Sequence, residues 1–511
     1  MQFRPHLQAV RGRVQQFIQQ PPTIVFVYLL AVFLELEESV QKAPTIRLLE
    51  NAICNKHYHN ELPPGQVDES MCKIEPIQVR LAHIRGLLSF FDSLPSENCY
   101  LSGVVVLAAD TSMQIVILFG TVFGSNADRN GRRLAFGLAV FGTICAMVWI
   151  YFTCYLWDRV PIELVWISSL FRLIGGGPAI AIAMCLTMAS DLSSETNRQD
   201  LVSKPSKCEI PSNTFYRVFS AVLITDLIGP PIAYGTLRHS LWLPYIVCAL
   251  FLSLTYPVLF YMPETLQKTA QYQESTSPFE ITGLKNYIKF LADWRIFIGV
   301  TTVFLAQFRN NTIEILLPYT SVRFGLALGK AATLLSVVSA VNIVVFLVLL
   351  PAVSTLLEKR AGWSITYINI CVARVSSALL AFGAAILAAA PNVGIVVVAL
   401  IVYAAGFGVR LSILAVITSF VNSSKETAQL YTLVATTDAV AHMIASPLLQ
   451  RVWSSALSIG GRWLVLPFIV LMGVFILAFL TSCLLKDKSS AIEDEDSVEA
   501  EREPLMAGED D

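Results

Sequence analysis

The sequence predicts an all-helical membrane bundle of twelve spans, arranged as two related halves of six. Three observations carry that prediction. Apolar residues make up 55% of the 511 residues and charged residues only 14%, against about 25% charged in soluble domains. The apolar residues fall in blocks of about 20, the length a helix needs to cross the hydrocarbon core. The second set of blocks also repeats local patterns of the first, as an internal duplication requires. Length alone would suggest roughly three soluble domains, but the block pattern overrules it.

Twelve blocks meet the length criterion, at about 22–43, 101–123, 134–155, 163–190, 215–237, 241–262, 296–317, 332–354, 370–390, 393–418, 430–452 and 463–485. An even number of spans places both termini on one side. The basic residues Arg4, Arg11 and Arg13, the Arg129/Arg132/Arg133 cluster and the Lys359-Arg360 pair share that side, which makes it cytoplasmic. The N-terminus is no secretory signal, because its apolar block runs on to membrane length without a small-residue cleavage site. The expected organisation is a cytoplasmic N-terminus (1–21), an N-terminal six-helix lobe (22–262) with a long non-cytoplasmic loop at 44–100, a polar cytoplasmic linker (263–293), a C-terminal lobe (294–485) and an acidic, disordered cytoplasmic tail (486–511).

The repeat shows at three places. Gly175-Gly176-Gly177 and Gly406-Phe407-Gly408 each precede a polar run by a similar interval. Thr225-Asp226 in the fifth span matches Thr437-Asp438 in the eleventh. Trp242-Leu243-Pro244 opens the sixth span, and Trp463-Leu464-Val465-Leu466-Pro467 opens the twelfth.

Several function classes are excluded. A net charge of −2 argues against nucleic acid as a partner. The sequence holds no GxxxxGK[ST], so an ATP-driven pump is disfavoured, and no HExxH or nucleophile elbow, so no enzyme is expected. No cysteine pair has the CxxC spacing of a metal site, and no cofactor or metal is expected. Most of the ten cysteines lie in apolar blocks as small hydrophobes. Cys54 and Cys72 lie in the expected outer loop, where oxidation is permitted. A disulfide between them is the expectation, with Cys99 as the competing partner.

Ionisable residues inside spans are costly, about 2.5–3.5 kcal/mol each at the centre of a helix, and normally face a cavity or a partner. Glu35, Arg172, Asp226, Arg309, Arg410, Asp438 and His442 are the candidates for transport or proton coupling. Glu37 in the first span and Glu314 in the seventh accompany them, and the alternative for Glu314 and Asp438 is a solvated place near a span end. Glu35 and Arg172 are expected at comparable depth, so Arg172 would pair with Glu35 or bind an anionic substrate once Glu35 is protonated. The competing reading makes Glu35 an interfacial, solvated group.

The sharpest motif is Gly124-Ser125-Asn126-Ala127-Asp128-Arg129-Asn130-Gly131-Arg132-Arg133, between the second and third spans. Its glycines permit a tight turn, Asp128 can pair with Arg or helix N-termini, and its basic residues hold the loop in the cytoplasm. This loop resembles the G-x-x-x-D-R-x-G-R-R signature of the major facilitator superfamily at every fixed position: Gly124, Asp128, Arg129, Gly131, Arg132 and Arg133. Asp191–Arg198, Pro263-Glu264-Thr265-Leu266, Leu317–Phe324 and Glu50–Cys54 with Cys72-Lys73 also resemble stretches of its members, the last two in a fungal group. That group is distantly similar to proton-coupled folate transporters and drug:proton antiporters. The resemblance implies a two-lobed transporter working by alternating access, in which the signature loop holds a conformational state and binds no substrate. Arg172 before Gly175–Gly177 resembles the arginine and glycine cluster that proton-driven members use.

The expected function is therefore proton-coupled efflux of a small organic molecule, such as a secondary metabolite or drug, by a monomer in the lipid bilayer. A proton-coupled importer and a non-transporting membrane sensor are the alternatives. The plasma membrane is the expected site and the vacuolar membrane its alternative, with the acidic Glu501–Met506 stretch resembling a dileucine sorting signal. Two stretches exceed the family pattern, Ser96–Met113 and Gln199–Asn213. Each is either a loop or translated intron sequence, and in the second case the second span includes residues 81–95.

Overall fold

The computed structural model describes residues 23–59, 61, 67–97, 131–189, 212–264, 291–421 and 424–485. Among these residues every regular element is helical. In chain order they are α1 (Thr23–His57), α2 (Glu75–Glu97), α3 (Arg132–Tyr155), α4 in two pieces (Ile162–Phe171 and Gly177–Ala189), α5 (Ser212–His239) and α6 (Leu243–Tyr261). The second half follows with α7 (Trp294–Phe324), α8 (Leu328–Ala361), α9 (Ile365–Ala389), α10 (Val393–Ser419), α11 (Ser424–Ile459) and α12 (Leu466–Leu484). This is the twelve-helix, two-lobed bundle that the apolar blocks predict.

Two differences from the expected spans have one cause. The second helix is Glu75–Glu97, whereas the expected second span, 101–123, lies outside the described residues. Likewise the stretch 44–100, expected as loop, is helical over its first part, because α1 runs on through Pro44 to His57. Both stretches look polar in sequence, but their charges have partners in the fold: Arg47 with Glu50 at 3.0 Å, Arg80 with Glu163 at 2.6 Å and Asp92 with Arg172 at 3.1 Å. Paired charges on a helix do not end it. At 35 residues, α1 is about 52 Å long and stands well clear of a hydrocarbon core of about 30 Å. Its far end carries Cys54, joined by a disulfide to Cys72 with the Cα atoms 5.4 Å apart. We refer to this end of the bundle as the disulfide end. Cys99 lies outside the described residues.

The fourth span is broken where the glycines stand. Gly175, Gly176 and Gly177 have φ of 98°, 83° and 69°, a region that residues with a Cβ rarely adopt. The break seats on α3. A Cβ on Gly142 would lie 2.4 Å from the Ile174 carbonyl oxygen, and one on Gly175 would lie 2.4 Å from the Ala139 nitrogen. The other lobe has a like contact between its third and fourth helices. A Cβ on Gly383 in α9 would lie 2.7 Å from the Tyr403 backbone of α10. The helix ends repeat as well. Arg133 of α3 donates to the Phe260 carbonyl at the end of α6, and Arg374 of α9 donates to the Ser482, Cys483 and Leu485 carbonyls at the end of α12.

The lobes meet through α2 against α11, and α5 against α8. Gly86 of α2 faces Gln450 and Pro447 of α11, and Gly329 of α8 faces Tyr234 and Leu237 of α5. Deeper in, Ser336 of α8 donates to the Leu227 carbonyl of α5 at 3.0 Å. α8 carries a π-helical turn, Val345–Leu349, just before Pro351. Proline lacks the amide that the preceding ladder would use, and a π-bulge is a usual way to absorb that loss.

Candidate functional site

Seven described helices are long and apolar enough to cross a membrane: α3, α5, α6, α8, α9, α10 and α12, with α5 counted from Val218 and α12 from Gly461. The remaining ones, α1, α2, the broken α4, α7 and α11, carry most of the charges. Four of these five provide the lobe boundary or stand directly behind it. Charge is concentrated where a helix faces another polar surface, as its desolvation cost demands.

On the N-terminal side, α1 presents Glu35, Glu37, Glu38 and Lys42 within two turns. Lys42 lies 3.6 Å from Glu38 and 3.9 Å from Asp226 of α5. Asp226 is one of the candidates read from sequence, but Lys42 is not, because the apolar block places it at the tip of the first span. Its spacing of four residues from Glu38 is a helical pairing signal and is the clue the sequence offers. Glu35 and Glu37 are both buried, so the interfacial, solvated reading of Glu35 does not describe its surroundings here. The Glu37 Oε1 atom has no hydrogen-bond partner among the described residues.

Arg172 does not pair with Glu35. It sits at the break in α4, and its Nη2 lies 3.1 Å from Asp92 of α2. Ser169 Oγ donates to the other Asp92 oxygen at 2.6 Å. The physical reason is the break itself: the glycine turn places Arg172 against α2, while Glu35 is on the Lys42 and Asp226 side of α1. Asp92 is not among the candidates read from sequence, because the apolar blocks read its stretch as loop, although the alternative second span, 81–95, includes it.

On the C-terminal side, Arg309 of α7 donates to Asn342 of α8 at 2.7 Å, and its guanidinium lies 5.1 Å from the centre of the Phe407 ring. Arg410 of α10 donates from Nε and Nη2 to one oxygen of Asp438 on α11, the Nε contact at 2.7 Å. His442 of α11 shares a 2.9 Å contact with Asn311 of α7. Glu314 accepts from Ser446 at 2.9 Å, and its carbonyl accepts from Arg85 of α2 across the lobe boundary at 3.1 Å. Arg309, Asn310, Gln307, Phe407, Arg410 and Asp438 line a cavity of about 280 Å³, to which Phe219 of α5 contributes from the other lobe. Phe219 also meets Phe346 of α8, the ring centres 4.9 Å apart. A cavity with two guanidiniums, one carboxylate, two amides and aromatic walls suits a small organic molecule with polar groups.

Of the signature loop, residues 124–130 lie outside the described residues, including Gly124, Asp128 and Arg129. Its last three residues meet the other expected motif. Gly131 has φ of 107° and, with a Cβ, would crowd the Glu264 carboxylate at 2.7 Å. The Arg132 amide donates to Glu264 at 3.1 Å, and Arg133 reaches the Phe260 carbonyl. The loop thus grips the end of α6 and joins α3 to α6 at the end of the bundle opposite the disulfide. Among the described residues no group of His, Cys, Asp and Glu could hold a metal ion.

Paired charges at a lobe boundary around an internal cavity, in a helical bundle with apolar outer faces, define a polytopic membrane transporter. Comparison with known proteins agrees. The MFS efflux pump atnC of Emericella nidulans is 27% identical over 460 residues, covering 86% of this chain and 83% of that protein. The MFS-type transporter aprT of Aspergillus flavus is 26% identical over 459 residues, covering 87% and 84%. Among solved structures, a point mutant of the nucleoside transporter NupG superposes with a TM-score of 0.61 at 11% identity, over 91% of this chain and all of that one. That likeness is one of fold. No family model matches the chain. The chain is thus similar over most of its length to fungal proteins named as MFS transporters, and it shares the fold of solved transporters.

Proposed function

We propose that the protein exports a small organic molecule by alternating access, in exchange for protons. The observation that carries this reading is the convergence of intramembrane charges on the lobe boundary, acidic on one side and basic on the other. Glu35, Glu38 and Asp226 stand together near that boundary with Lys42 as their neighbouring cation. Across it stand Arg309 and Arg410 with Asp438. Desolvation disfavours the charged form of a carboxylate and so favours proton uptake, which suits the acidic wall to proton exchange. The basic, aromatic cavity suits the substrate. The efflux direction is supported by the relative from Emericella nidulans, which is an efflux pump by name.

Both termini are assigned to the cytoplasm, from the arginines of the N-terminus and the signature loop, and the disulfide end to the opposite side. The lobes touch at the disulfide end, where Gly329 of α8 meets Tyr234 and Leu237 of α5, and again toward the other end, where Phe219 meets Phe346. The test uses inside-out vesicles from cells expressing the full chain. An acid interior should drive accumulation of transported compounds from a panel of small organic molecules, and an uncoupler should abolish it. Accumulation only in right-side-out vesicles, with protons flowing inward, would favour import. No movement of any compound in either preparation would favour a non-transporting role.

A further inference from the structure

The N-terminus of α8 lacks a cap of its own. The residue before it, Ala327, has no side chain able to accept the first amides, and such amides need a partner. The partner comes from the other lobe: Glu69 accepts a hydrogen bond from the Leu328 amide at 2.8 Å. A carboxylate there also meets the positive end of the helix dipole.

Glu69 is held firmly in place. It opens a 3₁₀ turn, Glu69–Lys73, that is tied to α1 at several points. Cys72 is joined to Cys54. Lys73 donates to both oxygens of the fully buried Glu50 at 2.7 and 3.0 Å, and to Glu69 at 3.1 Å. Arg47 lies 3.0 Å from Glu50 and 3.4 Å from Glu69. Gln78 of α2 donates to Glu50 at 2.6 Å and to the Cys72 carbonyl at 2.9 Å. Every tie but one is internal to the N-terminal lobe. The exception is the bond to α8.

We infer that Glu69 is a positioning residue for the transport cycle, a cap donated across the lobe boundary that latches the disulfide end closed, and that the Cys54–Cys72 bond keeps it in register. The inference rests on the alternating-access reading. The latch has the right strength for a switch. Glu69 is partly exposed, so opening lets water replace its bond. The loss is that of a helix cap, and the expected change in the ratio of closed to open forms is about fivefold, equivalent to about 1 kcal/mol. That is enough to bias two states of similar energy without freezing either.

The test is hydrogen exchange on the full chain in lipid nanodiscs, comparing wild type with Glu69→Ala, with Glu69→Gln, and with Cys54→Ala/Cys72→Ala. Glu75→Ala, a charge change at the start of α2, is the control. Glu69→Ala should raise exchange about fivefold at the first turn of α8. The rise should extend to the ends of α5 (Tyr234–His239) and α11 (Pro447–Ile459), which close the same end but make no bond to Glu69. Glu69→Gln should fall between wild type and Glu69→Ala. The cysteine variant should show the same pattern, and adding Glu69→Ala to it should change little more. A rise confined to the first turn of α8 would reduce Glu69 to a local cap and overturn the latch. Fully additive effects of the two variants would overturn the role of the disulfide. Exchange reads the lobe equilibrium without any substrate, so its outcome is separate from that of the vesicle flux assay.

Discussion

Gly142, a helical glycine packed against backbone atoms, is a position where one added methyl group should matter. Its helix, α3, lies so close to the break in α4 that a Cβ would sit 2.4 Å from the Ile174 carbonyl oxygen and 2.7 Å from that of Phe171. Both are backbone atoms and cannot rotate away. Ordinary contact begins near 3.4 Å, so Gly142→Ala must push the two helices apart by about 1 Å, an overpacking that costs about 1–3 kcal/mol. Arg172 lies between Phe171 and Ile174, and its 3.1 Å contact with Asp92 should stretch with the break. Gly142→Ala should therefore lower the thermal midpoint of the purified protein and reduce flux in vesicles together. Gly137→Ala is the control on the same helix, since its Cβ would meet only the tip of the Leu259 side chain at 3.3 Å. Wild-type stability and flux in Gly142→Ala would refute the close seating of α4 on α3, and with it the placement of Arg172.

Three further outcomes follow. Asp92→Asn should reduce flux as severely as Arg172→Ala at equal surface expression, since each leaves the other charge unpaired; wild-type flux in Asp92→Asn would remove Asp92 from the site. Glu35→Gln should lose proton-driven flux yet keep substrate exchange, and proton-driven flux equal to wild type between about pH 5 and 8 would remove Glu35 from coupling. Asp128→Asn and Arg129→Ala should abolish transport while the protein still reaches the membrane, and flux equal to wild type would leave the signature loop without a role.

Sequence alone reveals those helices whose apolar face is lipid. α3, α6, α9, α10 and α12 lie close to their expected positions because nothing but hydrocarbon surrounds much of their surface. α2 is hidden by the residues that make it useful. Arg80, Arg85 and Asp92 break its apolar run, and each finds its partner far off in the chain, on Glu163, on the Glu314 carbonyl and on Arg172. No local pattern announces a pair separated by scores of residues. The same reason explains why sequence pairs Arg172 with Glu35 and the structure does not: depth in the membrane can be counted from sequence, but the side of the helix that a glycine break turns toward α2 cannot. Lys42 is within reach of sequence, four residues from Glu38, and escapes notice only because the apolar block ends α1 too soon. Arg410 and Asp438 each stand out as charges within spans, and the structure brings them together.

The repeat that the sequence suggests holds in the scaffold and fails in the charges. Arg133 and Arg374 occupy equivalent places and close equivalent helix ends, and Gly142 and Gly383 admit equivalent neighbours. The matched aspartates keep their positions but change their partners. Asp226 turns to Lys42 on α1, whereas Asp438 turns to Arg410 on α10. Near Asp226 stand Glu35 and Glu38 of α1, whereas Asp438 is the one carboxylate beside the guanidiniums of Arg309 and Arg410. The contrast is local to these two aspartates, for Arg85 and Glu314 stand the other way round across the same boundary. Sorting charge in this way costs desolvation on both sides, and the two walls attract across the boundary most strongly when water is excluded between them. Any proton bound by the acidic wall weakens that attraction, and any anionic group held by the basic wall does the same from the other side. Either event would lower the cost of separating the lobes.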